Sequence, residues 1–506
     1  MEKEKNNEQL NSIIRKMEQD IFGSDSKLPN NKAFKDIIEI TYAYEDFSVN
    51  KTLFKKLTNI NNVSDYNEWY LIVFETLEEK RNLISKYINQ LQIESKTNGK
   101  IRIIINYLEY IDKIIELTQI WLPFELEKSG YKHNLTKEQI IYSVEKMEQI
   151  ETELFGGNVR DNSWEISQSV FILENYLKKN KENLTTKEQK EFENYINQAK
   201  KLPKFDKTLT KPKEFEEFEW WIMDKEISRE DYTNIFKLVF NIYNIQRPII
   251  VDSRSSIYDG EDALYIPNNE AYNTLKIKKI LQLISHEIET HYIIQENSKI
   301  TMWETKWAWN LTREEGTAKV LEWILVNKKL EDFNITISLA EILLGEILDP
   351  KDFDNFLQLY RKAKWFNKNV AYNKYKARLN RRKRLYPMNY KGVQHKDTSY
   401  ARGQVEVVNF IKSGGDVKSL YYGKVWFQDL DTLKNNLTIN PKDLKYPILI
   451  WEIILQYIDT GWVNHKKLLE TIQKKYNFID FSKENTKRLT FFQKRKLVEI
   501  FRLLEK

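Results

Sequence analysis

A chain of 506 residues with 41% hydrophobic content is long enough to bury a large core and to divide into two or three domains, which excludes a disordered tail or a small stapled scaffold. Lys+Arg 80 against Asp+Glu 74 leaves a formal charge of +6, too dilute over this length to mark a nucleic-acid-binding protein, so nucleic acid is not an expected partner. The absence of cysteine excludes disulfides, thiolate zinc sites, iron–sulfur clusters and a cysteine nucleophile, and leaves His, Asp and Glu as the metal-ligating side chains.

The N-terminal Met-Glu-Lys-Glu-Lys-Asn-Asn is charged from the start and carries no apolar signal core, so a cytoplasmic protein is expected. The most apolar runs, Ile101 to Ile111 and Tyr446 to Ile458, are interrupted by charge or fall short of the roughly 20 residues a bilayer requires. No membrane partner is expected.

From Leu10 to about residue 200, apolar residues recur at helical spacing, as in Leu10, Ile13, Ile14, Met17 and Ile21. Thr136 to Gln139 and Thr185 to Glu188 have the pattern of capping boxes, in which hydroxyl and carboxyl or amide groups satisfy the first free N–H groups of a helix. Gly156-Gly157 breaks the run. The stretch after Lys200, with Pro203 and Pro212, reads as a linker. These features predict a helical region over 1–205, a second domain over 206–430, and a helical segment over 431–506.

In the second domain Ser228 to Asp231 opens a helix whose Tyr232, Ile235, Phe236, Val239 and Tyr243 share one face. Pro248 to Val251 and Ala263 to Ile266 read as short strands separated by a turn at Tyr258 to Glu261. A further helix is predicted from Leu275 to about Ile294, with Ile280, Leu281, Ile284 and Ile288 buried. It carries two of the chain's five histidines, His286 and His291, with Glu287 directly after the first.

In the ordinary zincin motif, His-Glu-x-x-His, histidines four apart share a helix face. Here they are five apart. At ~100° per residue such positions diverge by about 140°, so an undistorted helix would not aim both rings at one ion. A π-bulge or unwinding between His286 and His291 is therefore predicted. Neutral imidazoles and a carboxylate hold Zn²⁺ while leaving a position for water, and Glu287 beside the first ligand is placed to take that water's proton. Glu315 is the preferred third ligand, with Glu314 and Glu322 as rivals. Thr312 to Glu315 also fits a capping box, which would employ Glu315 at a helix start. Glu322 is alternatively a group that orients a ligand histidine through its other nitrogen, and Glu289 a solvent-facing or supporting residue.

This pattern resembles the microtubule-associated tyrosine carboxypeptidase family of zinc metallopeptidases, with its bacterial QEGLA-motif relatives. The resemblance covers about residues 205–430. A His-Glu-x-x-x-His helix followed by a Gln-Glu-Gly-Leu-Ala-like helix is matched by His286 to His291 and by Glu314-Glu315-Gly316-Thr317-Ala318. A later Lys-Asp-x-x-Tyr-x-x-Gly signature is matched by Lys396 to Gly403, and a Gly-Lys element by Gly423-Lys424. Glu314 and Thr317 depart from the usual glutamine and leucine, as does the approach from Arg384 to Gly392.

The residue patterns predict a mainly α protein, a helical N-terminal region followed by a domain with a small sheet, and the resemblance implies that this domain is an α+β zincin-like (gluzincin-type) catalytic domain. It implies one zinc ion held by His286, His291 and Glu315, with Glu287 as catalytic base. The expected activity is hydrolysis of peptide bonds, most directly carboxypeptidase action on protein or peptide C-termini. The alternative is a metal-stabilised binding or regulatory protein of the same fold without turnover.

Candidates for the terminal carboxylate are Arg384, Lys391, Lys396 and Arg402. Tyr400 is the candidate hydrogen-bond donor to the oxyanion, and His395 a residue near the substrate. The strand Ala263 to Ile266 is a place where an extended peptide would add by backbone pairing, and the basic run from Lys362 to Arg384 a docking surface for an acidic tail.

Overall fold

The computed structural model describes residues 12, 16–17, 20–21, 66–95, 99–127, 134–210, 226–252, 257–259, 263–301, 311–324, 337–364, 390–423, 427–430 and 444–447. In chain order the helices and strands are α1 (Tyr66–Ser95), α2 (Gly99–Glu127), α3 (Lys137–Phe155), α4 (Ser163–Asn180), α5 (Thr186–Lys200), β1 (Glu226–Ser228) and α6 (Arg229–Ile242). Then come β2 (Ile249–Asp252), β3 (Tyr258–Asp259), β4 (Leu264–Pro267), β5 (Thr274–Lys276), α7 (Ile277–Leu283), a π-helical segment (Ile284–Tyr292) and α8 (Ile293–Thr301). The last described helices are α9 (Leu311–Ile324), α10 (Ile337–Ile347), α11 (Pro350–Lys364) and α12 (Thr398–Lys412). The described residues are mainly helical, with a two-stranded sheet (β1-β5) and a three-stranded one, and no described helix is long and apolar enough to cross a membrane.

The chain forms two compact units, each made of two stretches of sequence: Met1–Lys211 with Ile335–Ala401, and Pro212–Asn334 with Arg402–Lys506. The span 335–401, which lies inside the region that reads in sequence as one catalytic domain, thus belongs with the N-terminal helices. Its α10 is apolar nearly throughout, with Leu339, Ala340, Ile342, Leu343 and Leu344 all fully buried against Ile166, Val170 and Leu173 of α4 and Phe192 of α5. α10 is buried on most of its circumference, so it is largely apolar, and its two buried carboxylates, Glu341 and Glu346, are exceptions.

Local signals act where they are expected. Thr136 Oγ1 accepts from Gln139 N while Gln139 Oε1 accepts from Thr136 N, and Thr185 and Glu188 repeat the arrangement at the start of α5. Gly156 ends α3 in the left-handed conformation (φ 92°) that favours glycine. The proline-bearing stretch after α5 does not run free at its start: Asp206 N donates to Ser167 Oγ (3.1 Å) and Gln168 Nε2 to Leu209 O (2.8 Å), tying residues through 210 back onto α4.

In the second unit, Ser228 Oγ accepts from Asp231 N at the start of α6, whose Tyr232, Phe236 and Val239 are buried, with Ile235 half-buried, and Tyr243 just past its end is buried too. The larger sheet has the order β2-β4-β3, with β2 parallel and β3 antiparallel to β4. Tyr258 and Asp259, read from the sequence as part of a turn, therefore form a strand. Because β4 is central, with Tyr265 and Leu264 already facing Tyr258 and Asp259 and its other edge taken by β2, the expected addition of a peptide along Ala263 to Ile266 is closed off. The segment 431–506 lies outside the described residues apart from Leu444–Pro447, as does most of the basic run after Lys364.

Candidate metal centre

α7, the π-segment and α8 form one continuous rod in which His286 and His291 both lie in the π-helical part. The wider turn of a π-helix returns position i+5 to the face of position i, which an α-helix does at i+4. Thr290 Oγ1 shows the same period, donating 2.8 Å to Ser285 O five residues back. The two imidazole rings consequently meet, with centroids 4.8 Å apart and planes at 71°.

The third group comes from α9, which packs against the π-segment. Glu315 Oε2 lies 3.4 Å from His286 Nε2 and 3.7 Å from His291 Nε2. One ligand atom from each of the three residues falls within 4.8 Å of the others, so this group could hold a metal ion. Glu315 is 7% exposed, and its Oε2 is a buried oxygen without a hydrogen-bond partner. A buried carboxylate oxygen left in that condition is costly unless something positive occupies the space it faces. Two imidazole nitrogens and one carboxylate form the donor set that suits Zn²⁺, so the residues present fit the ion.

Each imidazole is backed by a further carboxylate on its far side. His291 Nδ1 hydrogen-bonds Glu314 Oε1 at 2.7 Å. His286 Nδ1 lies 2.6 Å from Glu322 Oε1, with the carboxylate displaced from the direction of the ring N–H. Since a carboxylate accepts, the His291 contact places a proton on Nδ1, the form in which Nε2 is left to face an ion; the Glu322 contact with His286 is an electrostatic one. Positions 315 and 322 are two helical turns apart and share a face of α9. Between them Lys319 Nζ binds Glu322 Oε1 at 2.9 Å.

The local field attracts positive charge. Burial opposes protonation of His286, but Glu315 and Glu322 outweigh it and raise its pKa. Burial likewise opposes the charge on His291, and Glu315 and Glu314 hold that ring well above the usual histidine range. Burial pushes Glu315 up, yet His291 and His286 bring it well below the usual carboxylate range. For Glu322 burial is again outweighed, by His286 and then Lys319, and its pKa falls to about 2.

Supporting groups close the centre from behind. Glu289, fully buried, accepts a hydrogen bond from the Tyr243 hydroxyl. Arg313, also fully buried, donates to Leu420 O (2.8 Å) and to Gly423 O, joining α9 to the 3₁₀ turn Val417–Tyr421. Burial lowers the Arg313 pKa to about 10, with Glu314 acting in the opposite direction. A Cβ on Gly316 would stand 2.1 Å from the carbonyl carbon of Gly403, and one on Gly403 only 1.7 Å from Thr312 O. Glycine at both positions lets α9 and α12 touch backbone to backbone, one residue from Glu315.

Compared with models of known protein families the sequence matches none, and no curated protein matches it.

The structure thus brings together His286, His291 and Glu315, with Glu322 and Glu314 around them and half-buried Glu287 on the same π-segment. The capping-box reading of Thr312 to Glu315 does not hold: Thr312 already lies within α9, and Glu315 turns to the histidines. Arg402 is half-buried in the same unit, where its charge lowers the otherwise burial-raised pKa of Glu406. Tyr400, Lys391 and Lys396 belong to the other unit, and Lys391 Nζ donates to Ile347 O at 3.2 Å. Arg384 and Lys424 lie outside the described residues.

His395 is not available to a substrate. It is 1% exposed, with Nδ1 3.1 Å from Glu151 Oε2 and Nε2 2.8 Å from Glu346 Oε1. The sequence also gave no hint of Lys279, whose charge is coupled to Glu322 and Glu287.

Proposed function

We propose that this protein is a zinc-dependent metallopeptidase of the kind its motifs resemble, the microtubule-associated tyrosine carboxypeptidases, with a gluzincin-type catalytic domain. The observation that carries the proposal is the pairing of the His286, His291 and Glu315 donor set with an adjacent, partly accessible Glu287. A purely structural zinc site is closed by four protein ligands, whereas three ligands leave a position for water or substrate.

His286, His291 and Glu315 would hold the ion. Zinc bound there supplies Lewis acidity, polarising a carbonyl and bringing the pKa of a water from 15.7 to about 7. Glu287 takes the proton from the attacking water and passes it to the leaving amine, so one carboxylate serves as base and then as acid. Glu322 holds His286 from its far side. In the proposed carboxypeptidase reaction a cation receives the terminal carboxylate, for which Arg402, in the same unit as the metal centre, is the candidate. The substrate is a peptide or protein C-terminus, and an acidic tail suits the basic run from Lys362 to Arg384.

The test is incubation of the full chain with a peptide library, with and without chelator, and with Glu287→Ala in parallel, reading cleavage positions by mass spectrometry. Loss of single C-terminal residues that requires metal and Glu287 is expected. Absence of metal-dependent cleavage, or full activity in Glu287→Ala, counts against an enzyme and leaves a metal-stabilised binding protein.

A further inference from the structure

Glu314 and Glu315 are adjacent carboxylates on α9, and both reach His291. They reach it from opposite sides. Glu314 Oε1 sits 2.7 Å from Nδ1, while Glu315 Oε2 faces Nε2 at 3.7 Å and also faces Nε2 of His286 at 3.4 Å. The two nitrogens of an imidazole point away from each other, so a carboxylate bonded to Nδ1 cannot reach an ion bound at Nε2 of the same ring. Glu314 is 3% exposed, and its neighbour Arg313 is anchored without exposure on the carbonyl oxygens of Leu420 and Gly423. The turn of α9 that carries Glu314 is therefore fixed to the segment around residues 417–423 independently of the histidines.

We propose that Glu314 is a positioning residue of the metal centre and not one of its ligands: it holds His291 in the Nδ1–H tautomer with Nε2 directed at the space shared with Glu315. The inference rests on the zinc reading given above. It divides the acidic residues of α9 by role, one binding the ion and the other two, Glu314 and Glu322, each steering one histidine. Both histidines thus depend on the same partner helix for their orientation as well as for the completing ligand. Glu314→Gln keeps an oxygen that accepts the Nδ1 proton but removes the charge that strengthens the bond; Glu314→Leu removes the acceptor.

The experiment uses the full chain and two probe ions, Zn²⁺ and Co²⁺. Zn²⁺ dissociation constants are measured by competition with a chromophoric chelator for the wild type, Glu314→Gln, Glu314→Leu and Glu315→Gln. The Co²⁺ ligand-field bands report the coordination set, and long-range proton–nitrogen NMR correlations report the tautomer of His291. The expected result is Zn²⁺ binding weakened by about 10- to 100-fold in Glu314→Leu and by less in Glu314→Gln. Both variants should retain the wild-type Co²⁺ bands, and in the metal-free protein at a pH high enough for the His291 ring to be neutral its Nδ1–H preference should be lost in Glu314→Leu. Loss of those bands on substituting Glu314, as for Glu315→Gln, would make Glu314 a ligand and overturn the proposal. Unchanged affinity and tautomer in Glu314→Leu would overturn it as well while leaving the zinc reading intact. A wild type that binds neither ion overturns the zinc reading and the proposal with it.

Discussion

His395 offers a stability switch that can be read by pH alone. Its ring bridges Glu151 and Glu346 in the interior of the first unit, and Glu346 is itself held by the backbone N–H groups of Val159 (2.9 Å) and Arg160 (2.7 Å). Burial disfavours the imidazolium, but the two carboxylates overcome it and raise the pKa from 6.5 to about 9. A group whose folded pKa lies above its unfolded value stabilises fully while both states are protonated, below about 6.5. That contribution is lost as pH rises through about 9. At 1.36 kcal/mol per pH unit, the shift corresponds to something on the order of 3 kcal/mol.

The assay is urea denaturation followed by circular dichroism between pH 6 and 10, comparing the wild type with His395→Gln, which cannot carry the charge. Titrating groups away from Glu151 and Glu346, including the two centre histidines, cancel in the difference. The gap between the two proteins should be largest near pH 6 and shrink by roughly 3 kcal/mol by pH 10. A gap that stays constant over the range would refute the claim that His395 is charged between its two glutamates.

Gly316→Ala places a methyl group 2.1 Å from a backbone carbon of Gly403, so the two helices must part. A loss of about 1–3 kcal/mol in chemical denaturation is expected, together with weaker retention of zinc on dialysis. Glu315→Gln removes the carboxylate common to both histidines, and zinc, which should raise the melting temperature of the wild type, is expected to leave that of the variant nearly unmoved. Glu287→Ala, by contrast, should keep its zinc by elemental analysis and lose about 10²- to 10⁴-fold in the rate of metal-dependent peptide hydrolysis.

The parts of the molecule legible in the sequence are those written over short distances. Capping boxes at Thr136 and Thr185 span three residues, and the five-residue gap between His286 and His291 carries its own geometric demand for a π-turn. Glu315 is the preferred third ligand from the residues and the resemblance supports it, but Glu314 stays a rival, since two adjacent glutamates on a helix look alike until their partners are known. The partners of His395 are hidden for a similar reason: Glu151 lies 244 residues away along the chain and Glu346 lies 49, and nothing near His395 announces either. The grouping of 335–401 with the first unit depends on the largely apolar α10, whose burial partners are set by tertiary packing.

The π-segment also acts as a phase adjuster. It admits one more residue than an α-helix would between two points on the same face, and so decouples the register of α8 from that of α7. Downstream, Asn297 depends on that register: its side-chain amide donates to Tyr421 O (2.8 Å) and Lys445 O (2.7 Å), while its oxygen accepts from Lys445 N. Deleting one residue between Glu287 and His291 would restore the commoner zincin spacing and keep both rings on one face. It would also swing Asn297 and everything after it by about 100° about the rod axis, away from the strands of chain it ties together. The extra residue is thus shared between two tasks, and the motif cannot be normalised without unfastening the far end of its own helix.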